Sequence, residues 1–377
     1  MATRNSGGTF ARGNTFDFLR LLAALSVLVH HSVIHLETNF FWHSESNTFW
    51  FYGGVPLFFI LSGMMIFQSA ERCHSARRPW RDFYQNRALR IMPAIYFYWI
   101  VSMALLVLIG ALTISEMASP GFIAFAASNL FLIPVISPGA LDSFGVGVVN
   151  GSLWTIPVEV SFYLIVPLFV LLLVKSGRRV LIGVLALLSI AGLLAFAAAG
   201  GNSTESVAWK LFGVTFAPYL WYFAIGIFWS KAWPSAVKSG WIAAASAVTY
   251  LAMVNIPAIG GADVLLNAAA AIPLSYAAVW FGYNGPRALS NVAARIGDLS
   301  FSTYIWHMIV VNVLIYFGAR DWEISGTVLV MAVAVLSMLI AAASWWFIEK
   351  SALSRKRYST GAVAVTAPSR KSTTRQH

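Results

Sequence analysis

Apolar runs of span length, separated by short polar segments, recur along nearly the whole chain. About 20 apolar residues in helical form cross the roughly 30 Å core of a bilayer. Such runs lie near 16–36, 51–70, 91–112, 153–174, 180–199, 209–230, 240–259, 264–283, 297–318 and 325–347. The pattern predicts an all-α fold, a polytopic transmembrane helical bundle of about ten spans. The stretch 122–136 is apolar but short, and the charges between the spans decide its role. If it enters without crossing, one side receives Arg4, Arg12, the arginines from Arg72 to Arg90, Lys175, Arg178, Arg179, Lys231, Lys238, Arg287, Arg295 and the tail from Lys350 to Arg375. The other side holds Glu37, Glu45, Glu116, Asp142, Glu205, Asp263, Asp321 and Glu323, with Lys210 and Arg320 as its cations. The positive-inside rule therefore favours a re-entrant segment near 122–136 and both termini in the cytoplasm, as in a multi-pass protein of a bacterial inner membrane.

Composition agrees with this. Of 377 residues 59% are hydrophobic and 10% charged, where a soluble domain carries about a quarter charged. The net charge of +11 lies in segments between spans, so it reads as topology and contact with membrane lipids, not as nucleic-acid binding. A single cysteine, Cys73, leaves no intrachain disulfide and no cysteine-based zinc site. Residues 1–15 read as a cytoplasmic N-terminal segment, 16–347 as one transmembrane domain, and 348–377, rich in Ser, Thr, Arg and Lys, as a disordered basic cytoplasmic tail. No Gly-x-Ser-x-Gly elbow, phosphate-binding glycine loop or His-Glu-x-x-His helix is present.

Chemistry concentrates in a few polar residues within apolar runs. Arg20 and His31, eleven apart in the first run, return to one helix face roughly 16 Å apart along the axis. Intramembrane charge is costly, so such residues face a bundle interior or watery cavity. His31 suits a general base. His35 shares its face, whereas His30 points about 100° away. Metal binding through His31 and His35 lacks a third ligand at a recognisable spacing. Asp17, three residues before Arg20, is positioned to hold that guanidinium. Arg87 and Arg90 share a face at the cytoplasmic start of the third run and suit phosphate oxygens. Glu159 is the one acidic residue well inside an apolar run, at a depth similar to that of His31. His307 sits near mid-membrane, and the Ser62-Gly63 pair suits close helix packing.

The run FDFLRLLAALSVLVHHS resembles the opening of the acyltransferase family 3 integral membrane proteins, in which Asp-x-x-Arg is followed by ten residues and His. That spacing selects His31 over His30. GGVPLFFILSGMMIF, FYQNRALRIMPAIY, GSLWTIPVEVSFYLIVP and LSFSTYIWHM resemble the family's later segments in order, and the stretch before Glu159 is most similar to the exopolysaccharide-production branch. The resemblance implies O-acyl transfer, acetyl from acetyl-CoA, to a polysaccharide or glycolipid acceptor, with polysaccharide assembly proteins as partners. Such transfer needs a base, an anchor for the donor phosphates and stabilisation of an oxyanion: His31 suits the first role, Arg87 and Arg90 the second, Arg20 serves the donor or the oxyanion and Glu159 is the partner of His31, with acyl-CoA as a substrate and no resident cofactor or metal. The alternative is a non-enzymatic transporter of lipid-linked saccharide. Asn86 stands where the family often has a further arginine, and members with a C-terminal hydrolase-like domain use it to complete transfer; here a partner protein is expected to supply any such relay.

Overall fold

The computed structural model describes residues 15–41, 53–134, 136–200, 206–232, 239–254, 264–296 and 298–356. These form helices α1 (Phe16–His35), α2 (Gly54–Ser75), α3 (Trp80–Leu108), α4 (Ile114–Met117), α5 (Pro120–Leu130), α6 (Thr155–Ala198), α7 (Val207–Gly213), α8 (Leu220–Ala232), α9 (Gly240–Val254), α10 (Val264–Asn284), α11 (Arg287–Ile296), α12 (Ser300–Tyr316), α13 (Gly326–Ser344) and α14 (Lys350–Ser354), with no strand among the described residues. Large apolar side chains such as Leu108, Leu168, Leu187, Val248 and Leu339 point outward, as they do where the surrounding solvent is lipid.

Five helical stretches are long and apolar enough to cross a membrane, and six if the pair Val207–Gly213 and Ala217–Ala232, bent by 45°, counts as one. That is a smaller number than the ten expected, in part because two apolar runs are joined in the 44 residues of α6. At 1.5 Å per residue it would extend about 66 Å, twice a bilayer core. It is broken at Gly177 (φ 82°, ψ 174°), among Lys175, Arg178 and Arg179, into two arms each of span length. Helix α5, inside the stretch expected to be re-entrant, has 11 residues and is too short to cross alone.

The centre of the bundle is α1, packed against α2, α12 and α13, with α2 lying in turn along α8. The α2–α8 approach is close because glycines face it: a Cβ on Gly63 would overlap the backbone of Phe223, and one on Gly226 the carbonyl of Ile60. The Ser62-Gly63 pair thus serves packing on its glycine side.

The segment ahead of α6 is anchored to α12. Asn312 accepts from the Val146 amide (3.1 Å) and donates to the carbonyls of Val148 (2.8 Å) and Val149 (3.0 Å), and Asn150 donates to the Ile305 carbonyl (2.8 Å). The chain also departs from expectation after 348. Instead of a disordered tail from that point, a π-helical turn at Trp345–Glu349 continues α13 into α14, which lies against α3. Glu349 is buried and accepts hydrogen bonds from Ser302 and Ser344, which hold the turn. The rest of the expected tail, 357–377, falls outside the described residues.

Candidate functional site

Two cavities flank α1. The larger, of about 300 Å³, is lined by His30 and His31 of α1, by Val55, Pro56 and Phe59 of α2, and by aromatic residues including Trp154, Tyr219, Tyr250 and Tyr304. The smaller, of about 40 Å³, is lined by Arg20, Ser62 and Glu159 among others. Val55, Phe59 and Tyr304 line both and form the wall between them.

His31, which lines the larger cavity, meets His307 behind it. Its Nδ1 is 2.8 Å from His307 Nε2, the ring planes lying within 18° of each other with centroids 5.1 Å apart, and His307 Nδ1 is 2.7 Å from the Tyr304 carbonyl. His307 is fully buried, at 0% exposure. A carbonyl only accepts, so His307 carries its proton on Nδ1. In a neutral ring its Nε2 is then an acceptor, and His31 must donate from Nδ1. The lone pair of His31 is thereby fixed on Nε2, the nitrogen that His307 leaves free. This is the tautomer a proton acceptor needs. His30, expected to face away, also lines this cavity, but the His307 bond selects His31.

Glu159, expected beside His31, is turned to other partners. It accepts from Tyr163 (2.6 Å) and Ser62 (3.4 Å) and lines the small cavity together with Arg20. The group bonded to His31 is an imidazole, not this carboxylate. Arg20 likewise takes a different partner from the one expected: Asp17 is exposed, and Arg20 Nη1 pairs with Asp298 at 2.7 Å. Arg90 Nη2 reaches the same oxygen, Asp298 Oδ2, at 2.5 Å, while Ser300 donates to Oδ1 at 2.6 Å. One carboxylate therefore joins α1, α3 and the start of α12. The side chains are 17%, 11% and 19% exposed for Arg20, Arg90 and Asp298, so these are charge-assisted bonds with little water to weaken them.

Arg87, one turn before Arg90, has no carboxylate partner among the described residues. Its Nε is buried without a hydrogen bond, and its guanidinium lies 5.9 Å from the ring centroids of both Phe83 and Tyr163. Lys356, just past α14, stands in the field of Arg87 and Arg90; burial first, and then those two cations, push its ammonium down to about 8. Asn86 is fully buried, so its side chain faces the protein interior.

Asp298, Glu349 and the role of His307 as direct partner were not legible as site features in the sequence. An acid at the start of a span on the arginine-rich side was the available signal for Asp298. Cys73 is buried, its thiol against the carbonyls of Arg78 and Pro79. Among the described residues no three of His, Cys, Asp and Glu are grouped to hold a metal.

Residues 14–346 match the acyltransferase domain of family 3. The chain is 28% identical to Nodulation protein 10 of Rhizobium leguminosarum bv. viciae over 90% of this chain and 93% of the relative. It is 27% identical to an O-acetyl transferase of Shigella phage Sf6 over 91% and 97% of the two chains, and 27% identical to the exopolysaccharide production protein ExoZ of Rhizobium meliloti over 81% and 90%. No solved structure matches it. With the family match running through nearly every described helix, the chain belongs to acyltransferase family 3 and is an O-acyltransferase of the membrane.

Proposed function

We propose that this protein transfers an acetyl group from acetyl-CoA to a hydroxyl of a cell-surface or exported polysaccharide, or of its lipid-linked precursor, with His31 as general base. The observation that carries the reading is the chain Tyr304 carbonyl, His307, His31, which leaves a lone pair on His31 Nε2. A transporter of lipid-linked saccharide would have no use for an oriented base.

In this reading the protein lies in the inner membrane with ten crossings and both termini cytoplasmic, the two arms of α6 counting as separate crossings. The coenzyme stays at the cytoplasmic face, where its phosphates meet Arg87, Arg90 and Lys356, because they cannot enter lipid. The thioester arm passes Arg20 and Glu159 in the small cavity, and the acyl group reaches His31 in the large one. The acceptor hydroxyl attacks the thioester carbonyl while His31 Nε2 takes its proton. The tetrahedral intermediate collapses, the carbon–sulfur bond breaks, and the thiolate recovers that proton from the imidazolium. His307 holds the ring through both steps by accepting from Nδ1. Arg20, fixed by Asp298, bears on the donor; Glu159 holds the Ser62 and Tyr163 hydroxyls beside it.

The test is transfer of label from acetyl-CoA to the glycan fraction extracted from producing cells, using purified protein. His31→Ala should lower transfer by about a thousandfold, within the range for loss of a general base, with acetyl-CoA binding intact. Full activity in His31→Ala would end the reading.

A further inference from the structure

One residue that lines the large cavity carries a hydroxyl without a hydrogen-bond partner among the described residues. Tyr250 of α9 is 9% exposed and lines this cavity, yet its hydroxyl makes no hydrogen bond among the described residues. A buried hydroxyl without a partner is costly to maintain and points to a ligand atom.

Its position is specific. The hydroxyl lies against Gly53, so closely that a Cβ there would overlap it. Gly53 is the N-cap of α2, a 22-residue helix with no side-chain cap on its first turn. The first amides of a helix have no intrahelical acceptor and carry partial positive charge. Pro56, in that turn, has no amide hydrogen. Val55 and Pro56 line the cavity. The same turn is pressed against α1: a Cβ on Gly54 would overlap Ser26 Oγ and Val27, and Val27 precedes His31 by one helical turn. Tyr250, Val55 and Pro56 of the first turn of α2, and His31 therefore line one cavity.

We propose that the Tyr250 hydroxyl and the uncapped first turn of α2 form the hole that receives the carbonyl oxygen of the donor thioester. The proposal rests on the acyl-transfer reading above. As the acceptor oxygen bonds to the carbonyl carbon, the carbonyl π electrons move onto its oxygen, and Tyr250 donates to that oxyanion. When the C=O bond re-forms, the C–S pair leaves on sulfur and the hydroxyl is released unchanged. Glycine at 53 is required because any side chain would displace the hydroxyl.

The experiment measures kcat and KM of the purified full-length protein with labelled acetyl-CoA and the extracted glycan fraction, alongside equilibrium binding of acetyl-CoA. Tyr250→Phe and Gly53→Ala should each lower kcat by about a hundredfold, the scale for loss of one oxyanion donor, with acetyl-CoA binding unchanged. Because both variants remove the same hydroxyl, the double variant should fall no more than about threefold below the poorer single one. Unchanged kcat in Tyr250→Phe, or a loss confined to the KM for glycan, would overturn the proposal. His31→Ala separates the two levels: inactive His31→Ala with fully active Tyr250→Phe removes the hole alone, whereas fully active His31→Ala removes the acyl-transfer reading as well.

Discussion

At its Arg20 end, α1 is held by charge. Two guanidinium groups from different helices share one oxygen of Asp298, and the adjacent cavity of about 40 Å³ has room for little beyond a narrow chain. At its His31 end the same helix is held by neutral hydrogen bonds through two imidazoles to a carbonyl, beside a cavity of about 300 Å³. The difference is one of reorganisation. An ion pair fixes geometry firmly but resists moving a proton, whereas a neutral imidazole chain fixes a tautomer and still accepts one. On the acetyl-transfer proposal, one helix thus combines an anchor for a charged donor with a base for an uncharged acceptor.

The contrast is broken most directly at Asp298. Asp298→Asn leaves two buried guanidinium groups facing an amide, and should cost about 3–5 kcal/mol, read as a lowered thermal midpoint of the detergent-solubilised protein. His307→Phe keeps the buried ring but removes the acceptor for His31 Nδ1. It should lower kcat by about a hundredfold with little change in thermal midpoint; equal losses in both measurements would make His307 a packing residue only.

Arg87 sharpens the picture at the charged end, because no carboxylate among the described residues offsets it. Arg87→Ala should weaken acetyl-CoA binding by about 1.5–3 kcal/mol, and Arg77→Ala should leave it unchanged; equal effects would reduce the basic face to a diffuse field. The smallest effect concerns Lys356. With its ammonium pushed down to about 8 by burial and by Arg87 and Arg90, it is charged below that pH and neutral above it. kcat/KM for acetyl-CoA should therefore fall as pH rises through about 8, by roughly two- to fivefold, and Lys356→Gln should lack this step.

How much of this was legible in the sequence follows the same division. The placement of Arg20 and His31 on opposite ends of one helix needed only the helical repeat. The partners of both lie more than 250 positions away, and no local spacing joins His31 to His307 or Arg20 to Asp298. Depth alone paired Glu159 with His31, because a span's depth is readable from its ends while its azimuth in the bundle is not. The order of helices around α1 settles azimuth, and Glu159 faces Arg20's cavity. Past 348, charge read as the end of structure, whereas two serines supplied the hydrogen bonds that let Glu349 stay buried.

Val55, Phe59 and Tyr304 each line both cavities, so one aliphatic and two aromatic side chains stand between them. A voltage across the membrane is worth about 2.3 kcal/mol per elementary charge per 100 mV, and any continuous wet path would dissipate it. In the acetyl-transfer reading the shared wall serves as an insulator. On the acetyl-transfer proposal, a neutral acyl group slips past two aromatic rings and a valine while protons and phosphates are kept to their own sides, so that chemistry linking two compartments proceeds without short-circuiting them.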